Sequence, residues 1–554
     1  MSSTKKILSI TNLKKYFPIA KSSLFQRNQL YVRANEDITL DIYEGETLGI
    51  VGESGCGKST LGRVLLQLYD QTAGTTLYYG VTLDELAPSY VFDTLRHYPR
   101  YAKKLARANE KAAELEKKLE QAGGEEKADF YLLQNLNLAN CDVKTRLTHI
   151  VNILGGFHAI DEGDEGKKLL ESFYLLAKKR KTHKEKLHNL EIRIDQLHGR
   201  LSPDENDKPL DEKKAEKIRA QIESLTAKKN AMEPELETVE KEIADVNAKL
   251  DELRRRYADN EEFAKFEAMR DDGVDLSRLK YNEMRFLRRD LQIIFQDPYS
   301  SLNPRFTIGQ IIEEGLLTHK FFKAGSPKMR QHVVDTMEKC GLQEYMLHRY
   351  PHQFSGGQRQ RICIARALAV MPKFVVCDEC VSALDVSIQS QIINLLQELK
   401  EKEKLTYMFI SHDLSVVRYI SDRICVMYLG NVVELADAET TFRDPRHPYT
   451  VALLSSIPTT DPESLKKERI LLEGNIPSPI RPPEGCKFHT RCYMACDKCK
   501  RVPPPLTEIE PGHFVACHFP ERKLDENGNY LFEMPKTERK SERADAAGTE
   551  GSDQ

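Results

Sequence analysis

Apolar and polar residues along this chain follow different rhythms in different stretches. Up to about residue 80 the apolar positions come in short runs, Ile38-Thr-Leu-Asp-Ile-Tyr43 and Thr47-Leu-Gly-Ile-Val51, separated by the turn Glu44-Gly45. Such runs predict strands. From about 81 to 272 the chain becomes rich in Lys, Glu and Leu, with few β-branched runs. The β/α rhythm returns at Val274 and lasts to about 435, 436–520 is rich in Pro and Cys, and Lys536 to Gln554 reads as a disordered polar tail. The expected organisation is a first α/β part over 1–80, a helical insertion over 81–272, a second α/β part over 273–435, an extension over 436–535 and a tail over 536–554.

Heptad counting sharpens the insertion. Leu169, Phe173, Leu176, Arg180, His183, Leu187, Leu190, Ile194, Leu197 and Leu201 keep an unbroken 4-3 alternation. So do Ile218, Ile222, Leu225, Lys229, Met232, Leu236, Val239, Ile243, Val246, Leu250, Leu253 and Tyr257. The breaker Ser202-Pro-Asp-Glu-Asn-Asp-Lys-Pro209 lies between them, so the pattern predicts an antiparallel coiled-coil hairpin. Residues 218–257 alone would span roughly 60 Å. Pro234 predicts a kink or restart in the second helix. A shorter seam (Leu105, Ala108, Ala112, Leu115, Leu119) predicts a third helix. Both ends of the insertion are expected on one surface turn, which would make it removable by joining Gly80 to Gly273. The pattern fits a solvated decoration as well as a docking arm.

Bulk properties narrow the function classes. The chain has 554 residues, which implies more than one structural unit, and a net charge of −3, which implies no global attraction to nucleic acid or anionic membrane. No apolar run approaches the ~20 residues of a spanning helix, and none of signal-peptide type follows Met1. A cytoplasmic protein that meets a membrane only through partners is expected. Five of the twelve cysteines (Cys486, Cys492, Cys496, Cys499, Cys517) crowd into one stretch. In a reducing compartment that reads as metal binding before disulfides.

Gly52-Glu-Ser54-Gly55-Cys56-Gly57-Lys58-Ser59-Thr60 sits between the apolar run ending at Val51 and the helical Leu61-Gly-Arg-Val-Leu-Leu. This is the context of a phosphate loop, in which glycines let backbone N–H groups turn inward and the helix N-terminus adds partial positive charge. Lys58 is expected on the β- and γ-phosphates and the Ser59 hydroxyl on magnesium. Phe374-Val-Val-Cys-Asp378-Glu379 is an apolar run ending in two acids, Asp378 for the magnesium and Glu379 to polarise the attacking water. An N-cap pair would look similar, but Ser382-Ala-Leu-Asp385 follows, and Ser411-His412-Asp413 closes another apolar run.

Phe354-Ser355-Gly356-Gly357-Gln358-Arg-Gln-Arg361 then resembles the signature of ABC ATPases, with Phe for the usual leading Leu. The resemblance covers 1–80 and 274–435. It implies an α/β fold with a RecA-like core, an antiparallel β subdomain and a helical subdomain. It further implies that Ser355, Gly356, Gly357 and Gln358 hold the γ-phosphate bound by an opposite subunit. Gln296 matches the Q-loop glutamine that senses magnesium, His412 the switch histidine, Asp385 the D-loop acid, and Phe17, with Tyr16 as competitor, the aromatic that stacks on adenine.

Gln296-Asp-Pro-Tyr-Ser-Ser-Leu-Asn-Pro-Arg305, Asp378-Glu-Cys-Val-Ser-Ala-Leu-Asp-Val-Ser387 and Phe442-Arg-Asp-Pro-Arg-His447-Pro448-Tyr449 resemble the oligopeptide/dipeptide/nickel permease ATPases, with Cys380 where Pro is commonest. This implies an ATPase driving import of oligopeptides or dipeptides, or of nickel or another small solute. It also implies a second, related ATPase subunit, two membrane-spanning permease subunits and, indirectly, an extracytoplasmic solute-binding protein, with no nucleic acid. Cys486, Cys492, Cys499 and Cys517 are spaced more loosely than short zinc knuckles, and relatives of this type resemble that arrangement with a [4Fe-4S] cluster, which is favoured over zinc. DNA-repair and chromosome ATPases also carry coiled coil, but after the Q-loop. Here only 59 positions separate Gln296 from Ser355, and the coil precedes both. A two-cassette translation factor would need a second phosphate loop. A catalytically dead scaffold is disfavoured by intact Lys58, Glu379 and His412.

Overall fold

A computed structural model describes residues 5–20, 30–124, 130–160, 165–201, 211–456, 470, 472 and 474–520. The breaker between the two heptad seams and the polar tail lie outside these residues. The strands are β1 (Lys6–Pro18), β2 (Tyr31–Tyr43), β3 (Thr47–Val51), β4 (Ala73–Tyr78), β5 (Val274–Asp275), β6 (Leu291–Ile294), β7 (Phe374–Asp378), β8 (Thr406–Ile410), β9 (Arg423–Tyr428), β10 (Asn431–Asp437), β11 (Thr507–Glu510) and β12 (His513–Val515). One sheet is antiparallel, in the order β2-β1-β4-β5; the other runs β11-β12-β10-β9-β3-β8-β7-β6. Within it β9, β3, β8, β7 and β6 are mutually parallel.

The continuous apolar runs explain the parallel centre. Every residue of β3, β7 and β8 is buried, as strands covered on both faces require. Side chains alternate between two cores. Phe374, Val376, Met408 and Ile410 pack with the antiparallel sheet and the base of the insertion. Val375, Cys377, Tyr407 and Phe409 pack with the helices that follow β6. Topology therefore sets the carboxyl ends of adjacent parallel strands side by side, where ligands of open α/β sheets bind.

The insertion leaves after β4 and returns at β5, and these strands pair, Tyr78 opposite Val274 and Leu77 opposite Asp275. Its ends are neighbours, as expected. It contains more helix than the heptads predict: α2 (Tyr98–Gln121) lies against α3 (Phe130–Leu154), which has no clear seam in the sequence, and α4 (Glu165–Leu201) lies against α5 (Glu212–Arg256), with α1 (Lys58–Leu65) preceding them in the cassette. Ion pairs Lys184–Glu240 at 3.3 Å and Lys229–Glu191 at 2.9 Å show that α4 and α5 run antiparallel. All the described residues of both seams are at least partly covered. There is no restart at Pro234: α5 continues through it for 45 residues, giving up one backbone bond where neighbouring turns and the facing helix hold the rod.

Near its base α4 buries a second stripe, Gly166, Leu170, Tyr174 and Ala177. Leu170 and Tyr174 of that stripe, with Ile150, Leu154, Leu250 and Phe263, join the same core as Leu276, Met284 and Leu287 of the cassette. Toward the far end, Asp195 accepts from Ser326 Oγ at 3.2 Å and pairs with Lys328. Gly199 there abuts the Pro327 ring, where a Cβ would come within 2.5 Å. Ser326 precedes a helix of the second core, α7 (Pro327–Lys339), which packs with α6 (Ile308–Thr318) and α8 (Gly356–Leu368).

The expected boundary at 435/436 is displaced, because β10 continues to Asp437. The extension is also less separate than its composition suggests, since β12 pairs with β10 and carries β11, lengthening the central sheet.

Candidate nucleotide site

The phosphate loop follows β3 and opens α1. Gly52, Gly55 and Gly57 all have positive φ. Gly52 and Gly57 are also hemmed in: a Cβ would meet Met427 O at 2.2 Å and Ala34 O at 2.1 Å. Lys58, buried, donates to Gly52 O at 2.8 Å and Glu53 O at 3.1 Å, so its ammonium sits inside the curl of the loop. Ser54 and Gly55 are exposed at its lip, and Ser59 and Thr60 start the helix half-buried. Cys56 belongs to the loop through its backbone alone. Its side chain joins the apolar core, and burial pushes its thiol up, so only its backbone can face a phosphate.

Three residues expected to work together are brought together. Gln296 Nε2 donates to Glu379 Oε2 at 2.9 Å, and His412 Nδ1 lies 3.6 Å from the same oxygen. These residues come from the ends of β6, β7 and β8. Glu379 has φ +50°, a left-handed conformation costly for a side-chain-bearing residue, and its N–H donates to Ile410 O at 3.0 Å. Ser382, not among the expected site residues, supports the group by donating to Glu379 O at 2.9 Å, and Gln296 also reaches its hydroxyl at 3.4 Å. Asp378 is buried. Its Oδ2 is 3.5 Å from Arg63 of α1, and its Oδ1 has no hydrogen-bond partner. An orphaned carboxylate oxygen at the end of β7 fits a metal-binding role, as does the hydroxyl of Ser59 at the head of α1.

Ser355 caps α8, accepting from Gln358 N at 3.4 Å while Gln358 Oε1 accepts from Ser355 N at 3.1 Å. A Cβ on Gly357 would meet Ile388 at 2.6 Å, which explains the second glycine. The signature thus belongs to the helical layer and not to the rim of the phosphate loop. Asp385 precedes α9 (Val386–Glu403) without capping it through its side chain. Between the two aromatic candidates, the Tyr16 hydroxyl is engaged by Glu36 at 2.8 Å, whereas Phe17 is held only edge-on by Tyr69 at 5.4 Å and beneath Lys15.

The extension reaches this site, which no sequence signal announced. Arg491 forks onto Glu53 of the phosphate loop, Nη1 to Oε2 at 2.7 Å and Nη2 to Oε1 at 3.0 Å. The Glu53 N–H donates to the Tyr449 hydroxyl at 2.9 Å. Tyr449 lies on α10 (Pro448–Ser455), whose start is fixed by fully buried Glu434: its oxygens accept from Arg446 N at 2.7 Å, His447 N at 2.9 Å and His513 Nε2 at 2.8 Å. Cys486, Cys492, Cys499 and Cys517 line one small cavity with Phe488 and His489. Burial pushes the Cys486 thiol up to about 11 and that of Cys492 up to about 12. Cys496 stands outside this lining, 3.7 Å from Cys499. Among the described residues no three His, Cys, Asp or Glu side chains are grouped closely enough to hold a metal ion.

The sequence matches known families. The ABC transporter family model matches residues 35–155 and 266–382, and the model of the oligopeptide/dipeptide transporter C-terminal region matches 433–499. Over 248 residues the chain is 54% identical to the "Putative oligopeptide transport ATP-binding protein YkfD" of Bacillus subtilis, and 52% identical to the oligopeptide transport ATP-binding protein AppF of the same organism. Each alignment covers 44% of this chain and 75% of the relative. A dimeric ATP-binding cassette, MJ0796, bound to ADP and Pi, matches with a TM-score of 0.38 at 16% identity, over 78% of this chain and 99% of that one. The chain is an ABC transporter ATPase subunit. Within that class it belongs to the family of oligopeptide transport ATP-binding proteins. Among the described residues no helix is long and apolar enough to cross a membrane.

Proposed function

We propose that this chain hydrolyses ATP to drive import of oligopeptides or dipeptides, working at the cytoplasmic face of a membrane beside a related ATPase subunit. The observation that carries this reading is the convergence of Glu379, Gln296 and His412 at the ends of three adjacent parallel strands. Gly52, Ser54, Gly55, Cys56, Gly57, Lys58, Ser59 and Thr60 cradle the phosphates, and Phe17 stacks on adenine. Glu379 holds a water in line with the γ-phosphate and takes up its proton. Gln296 orients that carboxylate, and His412 lies where a γ-phosphate oxygen would accept its N–H. Ser59, Asp378 and Gln296 hold a magnesium ion, which when bound neutralises charge developing on the β- and γ-oxygens.

Ser355, Gly356, Gly357 and Gln358 crown a helix of the helical layer, and Asp385 lies nearby. They complete the site of the other subunit, so two chains share two nucleotides. Permease subunits dock near the Gln296 loop, and the extracytoplasmic solute-binding protein delivers substrate to them. The four cavity-lining thiols, once deprotonated, would hold a [4Fe-4S] cluster, which would cross-link the extension. The paired helices α4 and α5 form a coiled-coil arm within an insertion spanning 81–272.

The test is reconstitution of the full chain with its permease and ATPase partners in vesicles. ATP-driven uptake of labelled oligopeptides is expected. Uptake of nickel without peptides, or ATP hydrolysis indifferent to every transport partner, overturns the reading. Anaerobic purification should yield about four irons per chain, falling in Cys492→Ser.

A further inference from the structure

Glu53 is an awkward residue for a phosphate loop, because a carboxylate beside a triphosphate repels it. The structure surrounds it with compensations. Its carboxylate receives both arms of the Arg491 guanidinium, whose side chain is 6% exposed against 24% for Glu53. Its N–H is held by the hydroxyl of Tyr449, itself fully buried. Its carbonyl accepts from Lys58 Nζ at 3.1 Å and Cys56 N at 3.3 Å. One residue thus links two anchors in the extension to the lysine that meets the phosphates. Behind it, Arg491 packs over Tyr428, which contacts Tyr449 at 4.8 Å and Phe488 at 5.2 Å between ring centres. A bidentate guanidinium–carboxylate pair fixes direction as well as charge, and an aromatic cluster leaves it little room to swing.

We infer that Arg491 and Tyr449 are positioning residues of the nucleotide site: the C-terminal extension neutralises Glu53 and fixes the phosphate loop, and so sets the affinity for ATP. Neither residue reaches the phosphates. Arg491 cancels the charge that would oppose them, and Tyr449 fixes the turn from which Lys58 projects. The inference rests on the phosphate loop being the ATP site, and two substitutions separate the possibilities.

The experiment is calorimetric titration of the full-length chain with magnesium-ATP, alongside melting of the nucleotide-free protein. Lys58→Ala should abolish binding; if it binds as the unmodified chain does, the site itself is misassigned. Arg491→Ala should weaken binding by about tenfold or more, the scale of one lost charged contact. Arg491→Lys should recover part of the loss. The double variant Glu53→Ala/Arg491→Ala should bind more tightly than Arg491→Ala alone, because the bare carboxylate has gone. A merely structural role would lower the melting temperature without this rescue. Affinity of Arg491→Ala within twofold of the original, or a double variant that binds no more tightly than Arg491→Ala, overturns the inference while leaving the ATP site in place. Should Arg491→Ala fail to fold, Tyr449→Phe, which removes only the hydroxyl, should still weaken ATP binding by several-fold; unchanged affinity there overturns it equally.

Discussion

The cassette and the insertion bury apolar surface in similar ways but spend their charges differently. In the cassette and its extension, the charged groups that matter are at least partly buried and fixed by several partners, as Glu379 is at the end of β7, Glu434 within β10, and the Arg491–Glu53 pair beside the phosphate loop. Along α4 and α5 they lie on exposed faces, as in Lys184–Glu240, where both side chains are about half exposed. Exposed pairs contribute little, whereas removing one partner of a buried pair leaves an uncompensated charge. One region should therefore be sensitive to single atoms. The other should be sensitive only at its apolar base and where Gly199 closes on the helical layer.

The largest effect should come from cutting at the wrong place in the insertion. Joining Gly80 to Gly273 keeps the β4–β5 ladder, yet it strips cover from Tyr78, Leu276, Met284 and Leu287, which share a core with Leu154, Leu170, Leu250 and Phe263. The clean removability expected from the sequence therefore gives way to a loss of soluble, cooperatively folding protein. Shortening only the outer rod, with a turn joining Lys186 to Glu233, should leave solubility and ATP binding unchanged. Solubility and thermal unfolding of both deletions decide this, and equal behaviour would erase the contrast. Next in size is Glu379→Gln, which keeps the shape and the phosphate cradle but loses the base. ATP should bind normally while turnover in the assembled transporter falls about a hundredfold to ten-thousandfold. Turnover within twofold of the original would remove Glu379 from that role.

Glu434→Ala tests the buried end of the comparison within the extension. It leaves two backbone N–H groups and the His513 ring without their acceptor, in a place from which solvent is excluded. A loss of about 3–5 kcal/mol is expected from denaturant unfolding, with strands β11 and β12 losing hydrogen-exchange protection first. A loss below about 1 kcal/mol would mean that this knot is no more than a surface pair.

What could be read in the sequence follows the same division. Phosphate loop, paired acids, switch histidine and signature are legible because the chemistry demands particular residues at short spacing within one turn of chain. The seams of α4 and α5 are legible because heptads repeat. Helix α3 is not, since it is covered from several sides and has no single stripe, and the second stripe of α4 is hidden by the first. Arg491 and Tyr449 act across hundreds of residues, and Glu434 gathers partners up to 79 positions away. Nothing in the local pattern around Arg491 marks it as a partner of Glu53, because the two lie 438 positions apart in the chain. Cys56 was readable as part of a motif, but the direction of its side chain was not.

The smallest effect expected is that of Asp195→Ala, at the contact of the arm with the helical layer. Asp195 receives Ser326 Oγ at 3.2 Å and the Lys328 ammonium, whose side chain is 72% exposed. An exposed lysine gives little stability to such a pair, so unfolding should shift by less than about 1 kcal/mol. The local consequence is easier to detect. The contact ties the far part of α4 to the start of α7, which packs in turn on α8, the signature helix. The packing of Gly199 on Pro327 survives the substitution, since it needs only the absence of a Cβ. The first-turn amides of α7 should therefore exchange faster in Asp195→Ala, by a factor of a few, while those of the α8 interior stay as they were. Gly199→Ala should do more, forcing the two helices apart through a methyl group that has no room. If Asp195→Ala loosened α7 as much as Gly199→Ala, the charge and not the close approach would be holding the arm, and the contrast between rod and cassette would fail at this contact.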